Sequence, residues 1–184
     1  TLMIVSLLAM MIMPSESRAS HMAGMDLTYE YNGVPNQYIV RLKLYRDCLG
    51  IPVQTSLNIC YSSVSLGLNG TVNAPQVNPF PNVVPNTPCV PPAPATCPGG
   101  VGDFEEYIYE GIVTLPGAAS DWVFSYSECC RNLIISTLNP NNLFVSATLD
   151  NITAPTNSSP NFTNIAYTRF CVGNTFYYDQ AATD

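Results

Sequence analysis

Seven cysteines are the residues of this 184-residue chain best equipped for chemistry: Cys48, Cys60, Cys89, Cys97, Cys129, Cys130 and Cys171. Cysteines at this density serve as metal ligands, redox thiols or cross-links. None lies in a Cys-x-x-Cys pair, and the single histidine, His21, is far from all of them in sequence. Structural zinc sites draw on closely spaced ligand pairs, so disulfides are the expected use. The odd number leaves at least one cysteine free or joined to another chain. Cys89 and Cys97 flank VPPAPAT and are expected to close a small local ring. Cys129 and Cys130 are adjacent, and adjacent side chains leave an extended backbone in opposite directions. Each is therefore expected to tie its strand to a different neighbour, drawn from Cys48, Cys60 and Cys171.

Other reactive groupings are thin. A Ser-His-Asp arrangement would have to use His21, beside the expected mature terminus, and no GxSxG is present. Glu105, Glu106 and Glu110 offer paired carboxylates of the kind that cleave glycosides. An acidic solvated strand face is the simpler reading, and the chain is not expected to be an enzyme. No phosphate-cradling glycine loop occurs. Arg46 beside Asp47, and Glu128 near Arg131, are expected to form ion pairs at cysteine-bearing corners. Sequons begin at Asn69, Asn151, Asn157 and Asn161, which would mark surface loops in a glycosylated protein.

The elements that must position these residues read as strands. The stretch Asp121–Asn132, DWVFSYSECCRN, organises the rest: Trp122, Phe124 and Tyr126 recur at every second residue, on one face of a strand that runs into the paired cysteines. Met25–Tyr31 alternates, a Gly33–Asn36 turn follows, and Gln37–Asp47 alternates most clearly. There Tyr38, Val40, Leu42 and Leu44 face one way and Arg41, Lys43, Tyr45 and Asp47 the other, as in an antiparallel sheet with one buried face. Further strands are expected over Gln54–Ser62, Asp103–Leu115, Leu133–Leu138, Leu143–Leu149, Ile165–Arg169 and Thr175–Asp179, with Val64–Leu68 as an extension or short partner. On Asp103–Leu115, Tyr107, Tyr109, Val113 and Leu115 share one face with Gly111. Residues 73–98 hold nine of the sixteen prolines. Proline gives no N–H to a ladder, so this insertion is expected to be a long extended loop. Short strands separated by Pro, Gly and Asn turns describe an all-β antiparallel sandwich, stapled by disulfides.

Residues 1–19 form a signal-peptide-like segment. Leu2–Met13 is an apolar run of the length of a secretory core, and Ser17 and Ala19 suit cleavage after Ala19. Residues 20–184 are then one domain with no stable transmembrane segment. The formal net charge is -7, and the few cations, Arg41, Lys43, Arg46, Arg131 and Arg169 among them, are scattered. No basic stripe for nucleic acid can be assembled from them. Charged residues make up only 10% of the chain, and Asn, Ser and Thr take their place. That composition suits an extracellular β-protein or one covered by neighbours.

Several motifs carry a resemblance: SHMAG (Ser20–Gly24), DLTYEY, LYRDC (Leu44–Cys48), YEGIVTLP (Tyr109–Pro116), DWVFSYSECCRN, NSSP (Asn157–Pro160) and the terminal CVGNTFYYDQAATD. Together they resemble the N-terminal domain of large secreted Bacteroidetes surface proteins, the gliding-motility-associated or PKD-repeat proteins exported by type IX secretion. The resemblance implies an Ig-like or other β-rich domain on the outside of a Gram-negative cell, with no enzymatic activity. It also implies an inter-module junction at residues 179–184, where Asp179 and Asp184 could help hold Ca²⁺. The expected function is that of a structural or adhesive module of a surface protein or filament, with other surface proteins or copies of itself as partners. The alternative is a polysaccharide-binding module, with Tyr107, Tyr109, Tyr177 and Tyr178 stacking on sugar rings.

Overall fold

The fold is described from a computed structural model of the chain, covering residues 22–48, 50–79, 82–84, 104–129, 131, 142–163, 173, 175, 177, 179 and 181–183. Its first hairpin follows from alternation. Strand β1 (Met22–Tyr31) pairs antiparallel with β2 (Gln37–Asp47), and Leu27 and Tyr29 face the same way as Tyr38, Val40, Leu42 and Leu44. The turn between them uses left-handed backbone at Gly33 and Asn36, residue types that accept positive φ at little cost. β3 (Ser56–Ser63) and β4 (Leu68–Pro75) form a second hairpin. β5 (Asn82–Val84), β6 (Phe104–Thr114), β7 (Trp122–Glu128) and β8 (Leu143–Leu149) follow, and β9 (Asn161–Phe162) pairs with β10 (Ala182–Thr183).

Two four-stranded sheets result, ordered β1-β2-β6-β5 and β4-β3-β7-β8, beside the small β10-β9 ribbon. Every strand pairing is antiparallel. Neighbours within each sheet come from distant parts of the chain, since β2 pairs with β6 and β3 with β7.

The inner faces meet in one apolar core. Trp122, Tyr38, Tyr109, Phe124, Leu42, Ile59 and Leu149 are its largest fully buried side chains. Tyr29 packs on Phe124 with ring centroids 5.6 Å apart, and Tyr61 packs on Trp122 at 5.9 Å. The buried phenols find partners: Tyr38 Oη donates to Pro155 O at 2.7 Å and Tyr109 Oη to Gln54 O at 2.7 Å. Removing such groups from water without a partner would cost more than the burial gains.

Edges are closed by loops. Tyr29 N donates to Ser159 Oγ at 2.8 Å, Ser159 N donates to Tyr29 O at 2.9 Å, and Tyr31 N donates to Ser158 Oγ at 3.1 Å. The NSSP segment thus occupies the outer edge of β1. On the far side the chain leaves β4 and crosses to the other sheet. Val77 N donates to Ile108 O, and Asn78 takes Ile108 N through Oδ1 and gives Nδ2 to Glu106 O, all at 2.7–2.8 Å.

Three expectations need correction. The sandwich is not disulfide-stapled: no disulfide joins two of the described residues, and Cys60, expected as a partner of Cys129 or Cys130, is a free, exposed thiol. For Cys60 the reason is placement, since it points outward from β3. Cys48 and Cys129 follow the ends of β2 and β7 and are disulfide-bonded. Cys89, Cys97, Cys130 and Cys171 lie outside the described residues. Second, the start of the Pro-rich stretch is not all loop: β4 runs to Pro75, and β5 adds an edge strand to β6. Its proline-free NVV can pair on an edge, where proline neighbours are tolerated. Third, Thr175, Tyr177 and Asp179 are not strand residues. The expected strands Leu133–Leu138 and Ile165–Arg169, the segment 1–19 and His21 fall outside the described residues.

Candidate functional site

The two outer faces of the sandwich differ sharply in charge. On the first sheet, outward positions of β1, β2 and β6 place Thr28 beside Arg41 and Glu110, and Asp26 beside Lys43 and Ile108. Arg41 is ion-paired with Glu110, and Lys43 with Glu106 at 3.8 Å. These pairs are cross-strand neighbours that support the sheet locally.

Among the described residues, the outward strand positions of β4-β3-β7-β8 carry no charged side chain, and Asp121 and Asp150 lie just beyond the ends of β7 and β8. Pairing registers define two full rows across this face: Thr71, Cys60, Ser125 and Ser146; Asn69, Ser62, Val123 and Thr148. A third follows by continuing the alternation, with Asn73 paired to Asn58 and Ser127 to Phe144. Cys60 lies in the middle row, on an inner strand. Ser62, Val123 and Ser125 are partly exposed and the other positions, Cys60 included, are exposed. Phe144, on the edge strand, is 68% exposed. Alternation along each strand dictates this face: the intervening residues, such as Ile59, Val72, Phe124 and Leu149, fill the core. What remains outward is small, hydroxyl- or amide-bearing, and flat.

The carboxylates considered for catalysis do not converge. Glu105 points inward to Arg46 and also accepts from Tyr107 Oη at 2.9 Å, whereas Glu106 and Glu110 point outward to Lys43 and Arg41. Arg46, expected beside Asp47, instead spans the end of the core. It donates to Ile51 O and Gly50 O at 2.8 Å each as well as to Glu105. Glu128 accepts from Tyr126 Oη and from Cys129 N. Burial and this carboxylate push the Tyr126 phenol well above its usual pKa, and burial does the same to Tyr109.

The proposed aromatic platform is dispersed. Tyr109 is fully buried and Tyr107 is half-buried on the same inner face, so neither offers its ring to a polymer. Tyr177 is 91% exposed, and Tyr178 lies outside the described residues. Asp179 Oδ1 accepts from Ala181 N at 2.8 Å, and Asp184 lies outside the description. Among the described residues no cluster of His, Cys, Asp and Glu could hold a metal, and no helix is long and apolar enough to cross a membrane. A cavity of about 280 Å³ lies between β1, β2 and the β9–β10 ribbon, lined by Thr28, Glu30, Arg41, Ser159 and Asn161 among others.

Three features escaped the sequence reading. The neutral face was legible in principle, since Ser, Thr and Asn alternate with apolar residues on β3, β7 and β8. Asp121 accepts from Ser63 Oγ at 2.6 Å, Ser65 Oγ at 2.7 Å and Ser65 N at 2.8 Å, locking the β3–β4 turn to the start of β7. Asn151, read as a sequon, is buried. No protein-family model, curated protein or solved structure matches the chain.

Proposed function

We propose that this chain is an extracellular structural or adhesive module of a bacterial cell-surface protein or surface filament, acting through protein–protein contact. The observation that carries the reading is the uncharged outer face of β4-β3-β7-β8. A sheet face meant only for water ordinarily mixes acidic and basic side chains. Depletion of charge is a property of surfaces that become covered. The first sheet keeps its charges and serves solubility. The export-like start and the resemblance to Bacteroidetes surface proteins support placement outside the cell. The polysaccharide alternative is left with Tyr177 and Tyr178, because the other two rings face the interior.

The test uses an antibody raised against the purified chain. It is expected to stain intact cells, and its Fab fragments to reduce cell–cell or cell–surface attachment or filament growth. Staining only after permeabilisation overturns the reading. Staining of intact cells with no effect of Fab on attachment or growth, together with retention of the chain on a polysaccharide matrix, favours the alternative.

A further inference from the structure

We infer that the uncharged face of β4-β3-β7-β8 binds the same face of a second copy of this chain, making a face-to-face two-fold dimer. The inference rests on the reading of the chain as a contact module and names its partner.

Self-complementarity is the first argument. A two-fold interface brings one patch against its own copy, so the patch must satisfy itself. Carboxylate or ammonium faces cannot, because they only accept or only donate and repel their like. Hydroxyls and amides both donate and accept. Nine of the twelve positions in the three rows are Ser, Thr or Asn, and the other three are Cys60, Val123 and Phe144.

Charge is the second. Each copy carries -7, so two copies repel except where their charges are held apart. Sheets pack roughly 10 Å apart. Joining the neutral faces sets the charges of the two outer sheets about 30 Å apart, against a screening length of about 8 Å in physiological salt, and leaves Asp121 and Asp150, at the ends of the joined sheet, as nearer carboxylates. Joining the charged faces would instead press Asp26, Glu30 and their copies together.

Area is the third. Four strands spaced about 4.8 Å apart and seven or eight residues long present roughly 500 Å² per copy. Two copies would bury on the order of 1,000 Å², the lower bound for a specific interface. The single contact is therefore weak, and many copies held on one surface would multiply it.

The geometry fixes a reporter. A face-to-face two-fold axis lies in the plane between the sheets. Whether it runs along or across the strands, the Cys60 thiol meets the middle row of its partner, at Cys60 or Ser125. The two Cys60 residues then lie roughly one sheet spacing apart.

The test is sedimentation equilibrium of the chain purified after export, with a short bismaleimide as cross-linker. The wild type is expected to dimerise reversibly, more tightly as salt screens the net charge, and to be cross-linked through Cys60 but not in Cys60→Ser. Ser125→Asp, at the centre of the face, is expected to weaken dimerisation roughly tenfold or more. Ile112→Asp, on the other sheet, is expected to leave it unchanged. Ser146→Asp, exposed on the edge strand, repeats the test should Ser125→Asp fail to fold. A chain monomeric at all concentrations overturns the inference. So does a dimer indifferent to both face variants and not cross-linked at Cys60. A monomer whose antibody still stains intact cells and whose Fab still blocks attachment overturns the dimer alone and leaves the module reading standing.

Discussion

Asn151 reaches across one end of the sandwich to Asn36, donating from Nδ2 to its Oδ1 at 3.0 Å. Asn36 holds left-handed backbone in the β1–β2 turn. The same Asn151 side chain accepts from Ala119 N at 2.7 Å, and its own backbone N–H donates to Ala119 O at 3.1 Å. One buried amide thus binds the β1–β2 turn, the β6–β7 turn and the end of β8. Asn151→Ala leaves Ala119 N–H buried without a partner and is expected to lose about 2–3 kcal/mol of stability in urea denaturation. Asn69→Ala, at an exposed sequon on β4, is expected to change stability by less than about 0.5 kcal/mol. The same burial excludes Asn151 as a glycan acceptor in the folded chain.

Asp121 makes the fold sensitive to acid. Hydrogen bonds from Ser63 and Ser65 hold its carboxyl at about 2, down from an ordinary 3.8. A group whose folded pKa is depressed contributes stability above its unfolded pKa and loses it as pH falls through the folded one. The Asp121 contribution is thus present above the unfolded value of 3.8 and is lost progressively as pH falls through the folded value of about 2. Asp150, lowered mainly by Thr153, acts in the same direction. Asp121→Asn is expected to be less stable at pH 6 and to show a shallower fall in melting temperature between about pH 4 and 2. An unchanged acid slope would assign the sensitivity elsewhere.

How far the sequence revealed this arrangement depended on how strongly each strand alternates. β2 and β8 fall on their expected bounds because Tyr38 to Leu44, and Leu143 to Leu149, repeat with period two. β4 is hard to see in the sequence because Asn69, Gly70, Thr71 and Asn73 dilute its apolar signal, leaving Val72 and Ala74 to face the core. Tyr109 shares the buried face of β6 with Val113 and Leu115, although its spacing alone suits an exposed contact ring equally well. Alternation tells which residues share a face, not which face is covered. Among the cysteines the correction falls on Cys60, whose outward place on β3 leaves it a free thiol, while Cys48 and Cys129 are disulfide-bonded; the core itself is filled by Trp122, Phe124, Tyr29 and Tyr38. The neutral face needs all three registers of its sheet at once before its rows can be seen.

Gly111 marks where β6 passes closest to β4. A Cβ there would lie 2.8 Å from Asn73 O and 2.9 Å from Val72 Cγ2. The first of these is backbone and cannot swing away. Gly70 is tighter on paper, with a Cβ 2.4 Å from Tyr61 Oη, but that contact is the far end of a partly exposed side chain that can turn. Gly111→Ala is therefore expected to cost roughly 1–3 kcal/mol, and Gly70→Ala less. Equal losses in the two variants would mean that Tyr61 is as immobile as the β4 backbone.

Alkaline stability tests the other end of the core. Burial, together with the hydrogen bond to Glu128 and the charge of that carboxylate, raises the Tyr126 phenol above 10, and burial raises Tyr109 likewise. A raised folded pKa means the folded state keeps its proton where the unfolded state gives it up. The stabilisation is complete below pH 10 and is lost progressively above it. Tyr126→Phe removes one such group along with its hydrogen bond. The variant is expected to be less stable at pH 8, and to lose stability less steeply between about pH 10 and 12 than the wild type. Ultraviolet titration supplies the second reading: the phenolate absorbance of the folded protein over that range should be the same in Tyr126→Phe and wild type, because Tyr126 contributes none of it. A drop in that absorbance would show Tyr126 ionising in the folded chain, and its contact with Glu128 would then be open to water.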